Sequence, residues 1–127
     1  MREIKFRGLR ADGIWEYGDL YTVPEKGWTL IRNRVDGERF FVSPETVGQY
    51  TGLLDADGRE IYEGDIIKLR TQNPYWRFRR NFVVTWGTDG WLLDGDSLYS
   101  WFSFHTLEII GNVHDNPELL EADHERD

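Results

Sequence analysis

The sequence contains no cysteine, four prolines and one methionine among its 127 residues. Without cysteine the chain can form no disulfide, thiol nucleophile or cysteine-ligated metal site. No apolar run approaches the roughly 20 residues of a membrane-spanning helix, and the N-terminus, MREIKFRGLR, lacks the apolar core of a signal peptide. A Gly-rich phosphate loop and a G-x-S-x-G motif are also missing. We therefore expect a cytoplasmic protein that has no membrane segment, metal or other cofactor.

Aromatic residues and glycine, by contrast, are abundant. Six tryptophans, six tyrosines and seven phenylalanines make up 15% of the chain, beside thirteen glycines. Aromatic side chains favour the half-buried surface of a β-sheet, and glycine favours tight turns. A chain of this length buries roughly two thirds of the surface of its unfolded form. The composition therefore predicts a β-rich globular protein that needs no cross-link.

The net charge of −8 is concentrated at the C-terminus. From His114 to Asp127 there are six acidic residues and one arginine, a net charge of −5, so the remaining residues carry −3. An acidic segment with little apolar surface gains little by folding. We expect residues 123–127 to form a disordered tail, and the charge of the body says little about its partners.

Between turn signals, apolar and polar residues alternate with the period of two that is typical of β-strands. The pattern predicts about nine strands. They include GWTLIRNR and ERFFVS, joined at Asp36-Gly37; TVGQYTGL and REIYEGDIIKL, joined at Asp57-Gly58; and FRRNFVVTW, WLLDG, SLYSWFSF and TLEIIGNV. Only NPELLEA has the pattern of a helix, with Asp115 or Asn116 as its N-cap. The predicted fold class is all-β, mainly antiparallel, with small barrel-like β subdomains and one short C-terminal helix.

The chain shows no internal repeat and no low-complexity segment. Its least periodic stretch is RTQNPYW, which follows the strand pattern of residues 59–69. We expect residues 1–122 to form one β domain, which is either undivided or built from two β subdomains that meet near residues 70–75.

Five carboxylates fall within eleven residues, at Asp55, Asp57, Glu60, Glu63 and Asp65. A calcium loop that began at Asp55 would need an acidic or amide residue at its fifth position, where this chain has an arginine. On one strand, the first and second glutamates would point to opposite faces, about 10 Å apart, which is unlike a catalytic carboxylate pair. Two turns, at Asp57-Gly58 and at Glu63-Gly64-Asp65, account for the whole pattern.

The segment from Lys68 to Trp86 holds five basic residues and no acidic residue. Cations that track phosphates beside aromatic rings that stack on bases are typical of proteins that bind single-stranded nucleic acid. The candidate residues for binding nucleic acid or a partner are Tyr75, Trp76, Arg77, Arg79 and Arg80. The alternative is an ordinary strand with buried rings and solvated arginines, or an edge strand at a subunit interface.

The chain shows no recognisable catalytic motif. The three histidines, His105, His114 and His124, match no metal-binding spacing. A small hydrolase would have to assemble Asp94, Asp96 and a histidine from distant segments, and convergence of these side chains in a pocket would identify it. We therefore name no catalytic residue and expect the protein not to be an enzyme.

Three segments resemble the YopX family of small bacteriophage and prophage proteins: MREIKFRGLRADGIWEYGDLY, QYTGLLDADGREIYEGDIIKL and LEIIGNVHDNPELLE. The match is weakest between residues 71 and 103. The resemblance implies a β-rich, self-associating protein that acts in the cytoplasm of a bacterial host and has no assigned biochemical activity. It brings no catalytic or ligand-binding residues.

Taken together, these features favour a non-enzymatic phage accessory protein that self-associates and binds a host or phage protein. Nucleic acid is the alternative partner, through the basic segment. A protein partner is favoured because the body is mildly acidic and carries only one basic stripe.

Overall fold

In the computed structural model, residues 3–70, 81–87 and 90–120 are described. They include eleven β-strands and the α-helix α1. The elements are β1 (Phe6–Leu9), β2 (Trp15–Val23), β3 (Trp28–Arg32), β4 (Arg39–Phe41), β5 (Gly48–Leu54), β6 (Glu60–Tyr62), β7 (Asp65–Arg70), β8 (Phe82–Gly87), β9 (Gly90–Leu93), β10 (Asp96–Ser97), α1 (Leu98–Phe104) and β11 (Thr106–Asn112). The predicted all-β, mainly antiparallel class is therefore confirmed.

The chain divides into two compact units, Met1–Gly52 and Leu53–Asp127. The sequence analysis names residues 70–75 as the meeting point if the domain is built from two β subdomains. Arg70 ends β7, and residues 71–75 lie outside the described part of the chain. The acidic tail predicted for residues 123–127 lies outside it as well.

In the first unit, the strands form an antiparallel sheet in the order β4-β3-β2-β1-β5. Asp36 and Gly37 lie in the loop that joins β3 to β4, as predicted, and of these two residues only the glycine has a positive φ, of 74°. Ile31 of β3 and Val42, just after β4, are buried on the same face of the sheet. This face is therefore the core side, and its opposite face carries the alternate residues of β2, β3 and β4.

The second unit contains an antiparallel sheet in the order β10-β9-β8-β7-β11. Apolar residues from its strands and from α1 fill one continuous core, consistent with the alternating pattern of the sequence. The buried members are Ile61, Ile67, Leu69, Phe82, Val84, Trp91, Leu93, Leu98 and Leu107.

The segment SLYSWFSF is helical, so its prediction as a strand was wrong. Residues 98–104 form α1, which buries Leu98 and packs Trp101 against the core. The indole nitrogen of Trp101 donates a hydrogen bond of 2.8 Å to the carbonyl oxygen of Leu93. Its ring lies 5.5 Å from the ring of Phe82. The spacing of Leu98 and Trp101 fits one face of a helix and not one face of a strand.

Of the predicted C-terminal helix, which spans residues 116–122, only residues 116–120 are described, and residues 118–120 are helical. Its first turn is closed by hydrogen bonds from Leu119 to Asn116 and from Leu120 to Pro117. Within the described ranges, no helix is both long enough and apolar enough to cross a membrane.

Candidate functional site

The carboxylates of residues 55–65 bind main-chain amides in the turns around them. Asp55 Oδ1 accepts hydrogen bonds of 2.9 Å from the backbone N–H groups of Asp57 and Arg59. Asp65 Oδ2 accepts one of 2.7 Å from the backbone N–H of Tyr62. Over residues 3–70, 81–87 and 90–120, no group of three His, Asp or Glu side chains is placed to hold a metal ion. The interpretation of this segment as two turns is confirmed.

Asp55 has a second role, which the sequence did not reveal: its turn covers the edge strand β11. Asp55 Oδ2 accepts a 3.0 Å hydrogen bond from the backbone N–H of Ile109. Ala56 N–H donates to the carbonyl oxygen of Leu107 at 2.8 Å, and Arg59 Nη2 donates to that of Ile109. The turn thus binds the main-chain groups that an additional strand would bind, which closes this edge to other chains.

The side chain of Asp55 is fully buried, with 0% of its surface exposed. Burial alone would raise its pKa. The hydrogen bonds from the backbone N–H groups of Ile109, Arg59 and Asp57, with the positive charge of Arg59, nevertheless lower the pKa of Asp55 below its ordinary value of 3.8. The ionised carboxylate is therefore the form that holds the turn on β11.

This lowered pKa predicts a loss of stability in acid. Asp55 binds a proton more readily in the unfolded chain than in the folded chain, so its contribution is complete above the unfolded pKa and disappears as the pH falls through the folded pKa. We expect the free energy of unfolding, measured in urea, to fall as the pH is lowered below about 5. The Asp55→Asn variant should show a shallower fall, because it lacks this titration. Parallel curves for the two proteins would contradict the assignment.

The candidate binding residues of the basic segment, Tyr75, Trp76, Arg77, Arg79 and Arg80, lie outside the described residues. The end of the segment is described: in β8, Phe82 and Val84 are buried, whereas Trp86 is 57% exposed. The apolar face of the basic segment was expected to be buried. This holds for Phe82 and Val84 and does not hold for Trp86.

The start of the basic segment, Lys68 and Arg70, lies on β7 beside an open groove of about 680 Å³. In the pairing of β7 with β11, Arg70 is opposite Thr106 and Lys68 is opposite Glu108, so these four side chains share one face. The lining residues are Lys68, Leu69, Arg70, Phe104, His105, Thr106 and Glu108.

Two carboxylates orient Arg70. Its Nη2 lies 2.9 Å from Asp57 Oδ2 and 3.0 Å from Glu108 Oε2. Hydrogen bonds to Glu108 and Asp57 raise the pKa of Arg70, and the hydrogen bond from Arg70 lowers the pKa of Glu108. Arg70 and Glu108 are therefore both charged near neutral pH.

The candidate hydrolase residues lie in turns or at the end of α1. Asp94 and Asp96 are exposed and flank Gly95 in the turn between β9 and β10. His105 follows α1, where its ring lies 5.3 Å from the ring of Trp101, and His114 is exposed in a turn after β11.

The outer face of the first sheet carries a cluster of apolar side chains, which we call the aromatic patch: Tyr21 of β2, Trp28 and Leu30 of β3, and Phe41 of β4. Leu30 is paired with Tyr21 on one side and with Phe41 on the other. The rings of Trp28 and Phe41 lie 5.5 Å apart at 85°, and the latter side chain is 58% exposed. Arg39 covers the ring of Tyr21 at 4.8 Å.

Sequence reasoning missed the aromatic patch because β3 and β4 carry apolar residues on both faces. The patch also ends at a sheet edge, since β4 has a described neighbour on one side only. Val42 and Glu38 bond to β3, so by alternation the main-chain groups of Arg39 and Phe41 point away from it.

Comparison with known proteins agrees with this fold. A structure titled as the crystal structure of protein EF1440 from Enterococcus faecalis matches with a TM-score of 0.64 and 22% sequence identity, over 94% of this chain and 99% of that one. None of the curated proteins matches the sequence. The model of the YopX protein family matches residues 5–121, nearly the whole chain. The resemblance of the three sequence segments is thus confirmed, and the chain belongs to the YopX family.

Proposed function

We propose that this protein is a non-enzymatic interaction module that associates with a second copy of itself through β4 and the aromatic patch. The observation that carries the proposal is that exposed rings of the patch continue to an edge strand, at Phe41. Contiguous exposed apolar side chains on a soluble domain are typical of interaction surfaces.

The residues of β4 suit pairing with an identical strand. In an antiparallel pair related by a two-fold axis at Phe40, Arg39 of each copy lies opposite Phe41 of the other. The main-chain groups of Arg39 and Phe41 already point outward, so this register gives four hydrogen bonds. It also places an arginine beside a phenylalanine across the interface, a contact that resembles the existing one between Arg39 and Tyr21.

A second copy fits this edge better than an unrelated strand does, because the surface complements itself. The two-fold axis brings the two aromatic patches onto one face of a continuous sheet. Trp28 is 41% exposed and Phe41 is 58% exposed in the single chain, and both are of the kind that anchors protein interfaces. The closed edge at β11 leaves that end of the other sheet less suited to the same contact.

Asp94, Asp96 and His114 are exposed in turns and line no described pocket, which favours a role in binding over one in catalysis. We further propose, from membership of the YopX family, that the assembled module is a phage or prophage accessory protein. In this proposal it acts in the bacterial cytoplasm on a host or phage protein.

The self-association proposal predicts a loss of oligomer in the Trp28→Ser/Phe41→Ser variant. Truncating two interface anchors weakens association by about 2 kcal/mol or more, which raises the dissociation constant by roughly 30-fold. Sedimentation velocity over a range of protein concentrations measures this change. Circular dichroism of the same samples should show an unchanged sheet, because both side chains are exposed.

Two further variants complete this experiment. Val35→Ser removes an exposed apolar side chain from the β3–β4 turn, outside the patch, and should associate like the wild type. Phe41→Pro removes the outward N–H group and should abolish pairing through β4, since proline is tolerated at an edge strand. A wild-type protein that stays monomeric up to about 1 mM would refute the proposal. Its dissociation constant would then exceed about 1 mM, which corresponds to an association free energy of less than about 4 kcal/mol in magnitude.

A further inference from the structure

We propose that the groove beside β7 and β11 binds single-stranded nucleic acid, with a phosphodiester at Lys68 and Arg70 and an unpaired base stacked on Phe104. This inference concerns the second unit and does not depend on self-association through β4. It rests on the hydrogen bonding of Arg70, the exposed ammonium group of Lys68 and the position of an exposed ring.

Arg70 has a fixed orientation, and only one of its nitrogens is used in its hydrogen bonds to described residues. Its hydrogen bonds to Asp57 and Glu108 all come from one nitrogen, Nη2. Within the described part of the chain, Nε and Nη1 donate no hydrogen bond. A guanidinium offers its donors in a planar fork that matches two oxygens of a phosphate. Asp57 and Glu108 hold this fork in place, so that less side-chain entropy is lost when a ligand binds.

Lys68 provides the second cation on the same face of β7, two residues before Arg70. Its side chain is exposed, and it forms no ion pair within 4 Å with any described residue. Alternate residues on one strand face lie about 6.6 Å apart, close to the spacing of successive phosphates in an extended single strand. A strand of nucleic acid that follows β7 can therefore meet both charges.

Phe104 supplies the stacking surface. It ends α1 at the rim of the groove and is 82% exposed, the most exposed aromatic side chain among the described residues. Each base stacked on an aromatic ring contributes substantially to binding, and stacking requires a base that is not paired in a duplex. The combination of a ring and two cations therefore favours single strands over duplexes.

The balance of charges in the groove predicts that removing one carboxylate strengthens binding. Lys68 and Arg70 are balanced by Asp57 and Glu108, so the phosphodiester is repelled by two carboxylates as well as attracted. Replacing Glu108 with glutamine keeps the shape of the side chain and one hydrogen-bond acceptor for Arg70. It removes a negative charge, so binding should become about threefold to fivefold tighter. A groove with only a structural role would not show this gain.

The test is fluorescence anisotropy of labelled single-stranded DNA and RNA of about 12 nucleotides, and of the matching duplex, at about 20 mM and about 150 mM salt. The variants are Lys68→Ala, Phe104→Ala and Glu108→Gln. Two matched controls lie outside the groove: Lys26→Ala, in the first unit, and Phe102→Ala, which removes another exposed ring of α1. The Arg77→Ala/Arg79→Ala variant tests the basic segment separately.

We expect wild-type binding that weakens with salt, and a loss of about fivefold or more for Phe104→Ala. Lys68→Ala should lower the slope of log affinity against log salt by about 0.7, the contribution of one phosphate contact in a single strand. The controls should bind like the wild type. The same groove variants should sediment like the wild type, so failure of this inference is distinguishable from failure of self-association.

Three results would overturn the inference. The first is no binding at low salt, where electrostatic attraction is strongest. The second is unchanged binding in both Lys68→Ala and Phe104→Ala, including the case in which Arg77→Ala/Arg79→Ala alone loses binding. The third is a duplex that binds as tightly as the single strands, which would exclude stacking on Phe104.

Discussion

Replacing Asp55 with alanine is expected to lower the free energy of unfolding by about 3 to 5 kcal/mol. The carboxylate accepts hydrogen bonds from three backbone N–H groups, those of Asp57, Arg59 and Ile109, all at 2.9 to 3.0 Å. Alanine leaves these part-buried donors without the acceptor that the buried Asp55 side chain provides. Each buried donor that loses its acceptor costs about 1 to 3 kcal/mol.

The effect should extend beyond the turn, because Asp55 joins the turn to β11. The variant is expected to lose protection of the Ile109 amide against hydrogen exchange and to open the edge of the strand. An opened edge promotes pairing between chains, so the variant should also aggregate as it is warmed. The thermal unfolding midpoint should fall by about 10 to 20 °C for a domain of this size.

Asp57→Ala is the matched control, since it removes a carboxylate from the same turn. Asp57 is half exposed and binds Arg70 at the surface, where ion pairs contribute little. Its variant should unfold near the wild-type midpoint in urea and in heat. If Asp55→Ala and Asp57→Ala were equally stable, the bonds from Asp55 to β11 would be unimportant in solution.

Local features could be predicted from the sequence. The turns at Asp36-Gly37 and Asp57-Gly58 and the bend at Gly64 depend only on residues next to one another, and all three were found. The all-β class followed from the alternating pattern and the aromatic content. The structural interpretation of the acidic segment followed from the failure of the calcium spacing.

Features that depend on distant residues could not be predicted. The second partner of Asp55 is Ile109, 54 residues along the chain. The helix α1 has a sequence rich in aromatic residues, which favour strands, and its conformation is fixed by the contacts of Trp101 with Leu93 and Phe82. Tertiary contacts thus overrode local preference in this segment.

The two candidate sites also depend on residues that are distant in the sequence, so neither could be predicted in full. The sequence identified Lys68 and Arg70 as members of a basic segment, but Phe104 joins them only because α1 ends beside β7 and β11. For the aromatic patch, the neighbouring residues Phe40 and Phe41 are chemically identical. The burial of Ile31 on the core side and the exposure of Phe41 show that the second phenylalanine faces outward.

The sheet edges explain why self-association is assigned to the first unit. β11, the longest described edge strand of its sheet, is covered by the turn of Asp55 and Arg59. β10, at the other end, has only two residues. β4 offers outward main-chain groups beside exposed rings, a combination that most monomeric proteins avoid. The edge at β11 is thus closed, whereas the edge at β4 is suited to pairing.

The second large effect is expected for Gly18→Ala, which should lower the free energy of unfolding by about 4 kcal/mol or more. Gly18 lies in β2 with a φ of 155°, where β2 passes β3 at very close range. A Cβ atom at this position would lie 1.9 Å from the carbonyl oxygen of Arg32 and 2.9 Å from its carbonyl carbon. Both are main-chain atoms, so the strand itself must move to relieve the contact.

Gly13→Ala is the matched control: it measures the cost of placing alanine at a positive φ where the added Cβ atom meets no close contact. Gly13 has a φ of 87°, and a Cβ atom added there would meet no described atom within 4 Å beyond its chain neighbours, so alanine should cost about 1 to 2 kcal/mol. Urea unfolding of the two variants measures the difference. Since Arg32 pairs with Arg39 of β4, displacement of β3 should weaken self-association as well. Equal stability of the two variants would show that β2 and β3 do not approach this closely in solution.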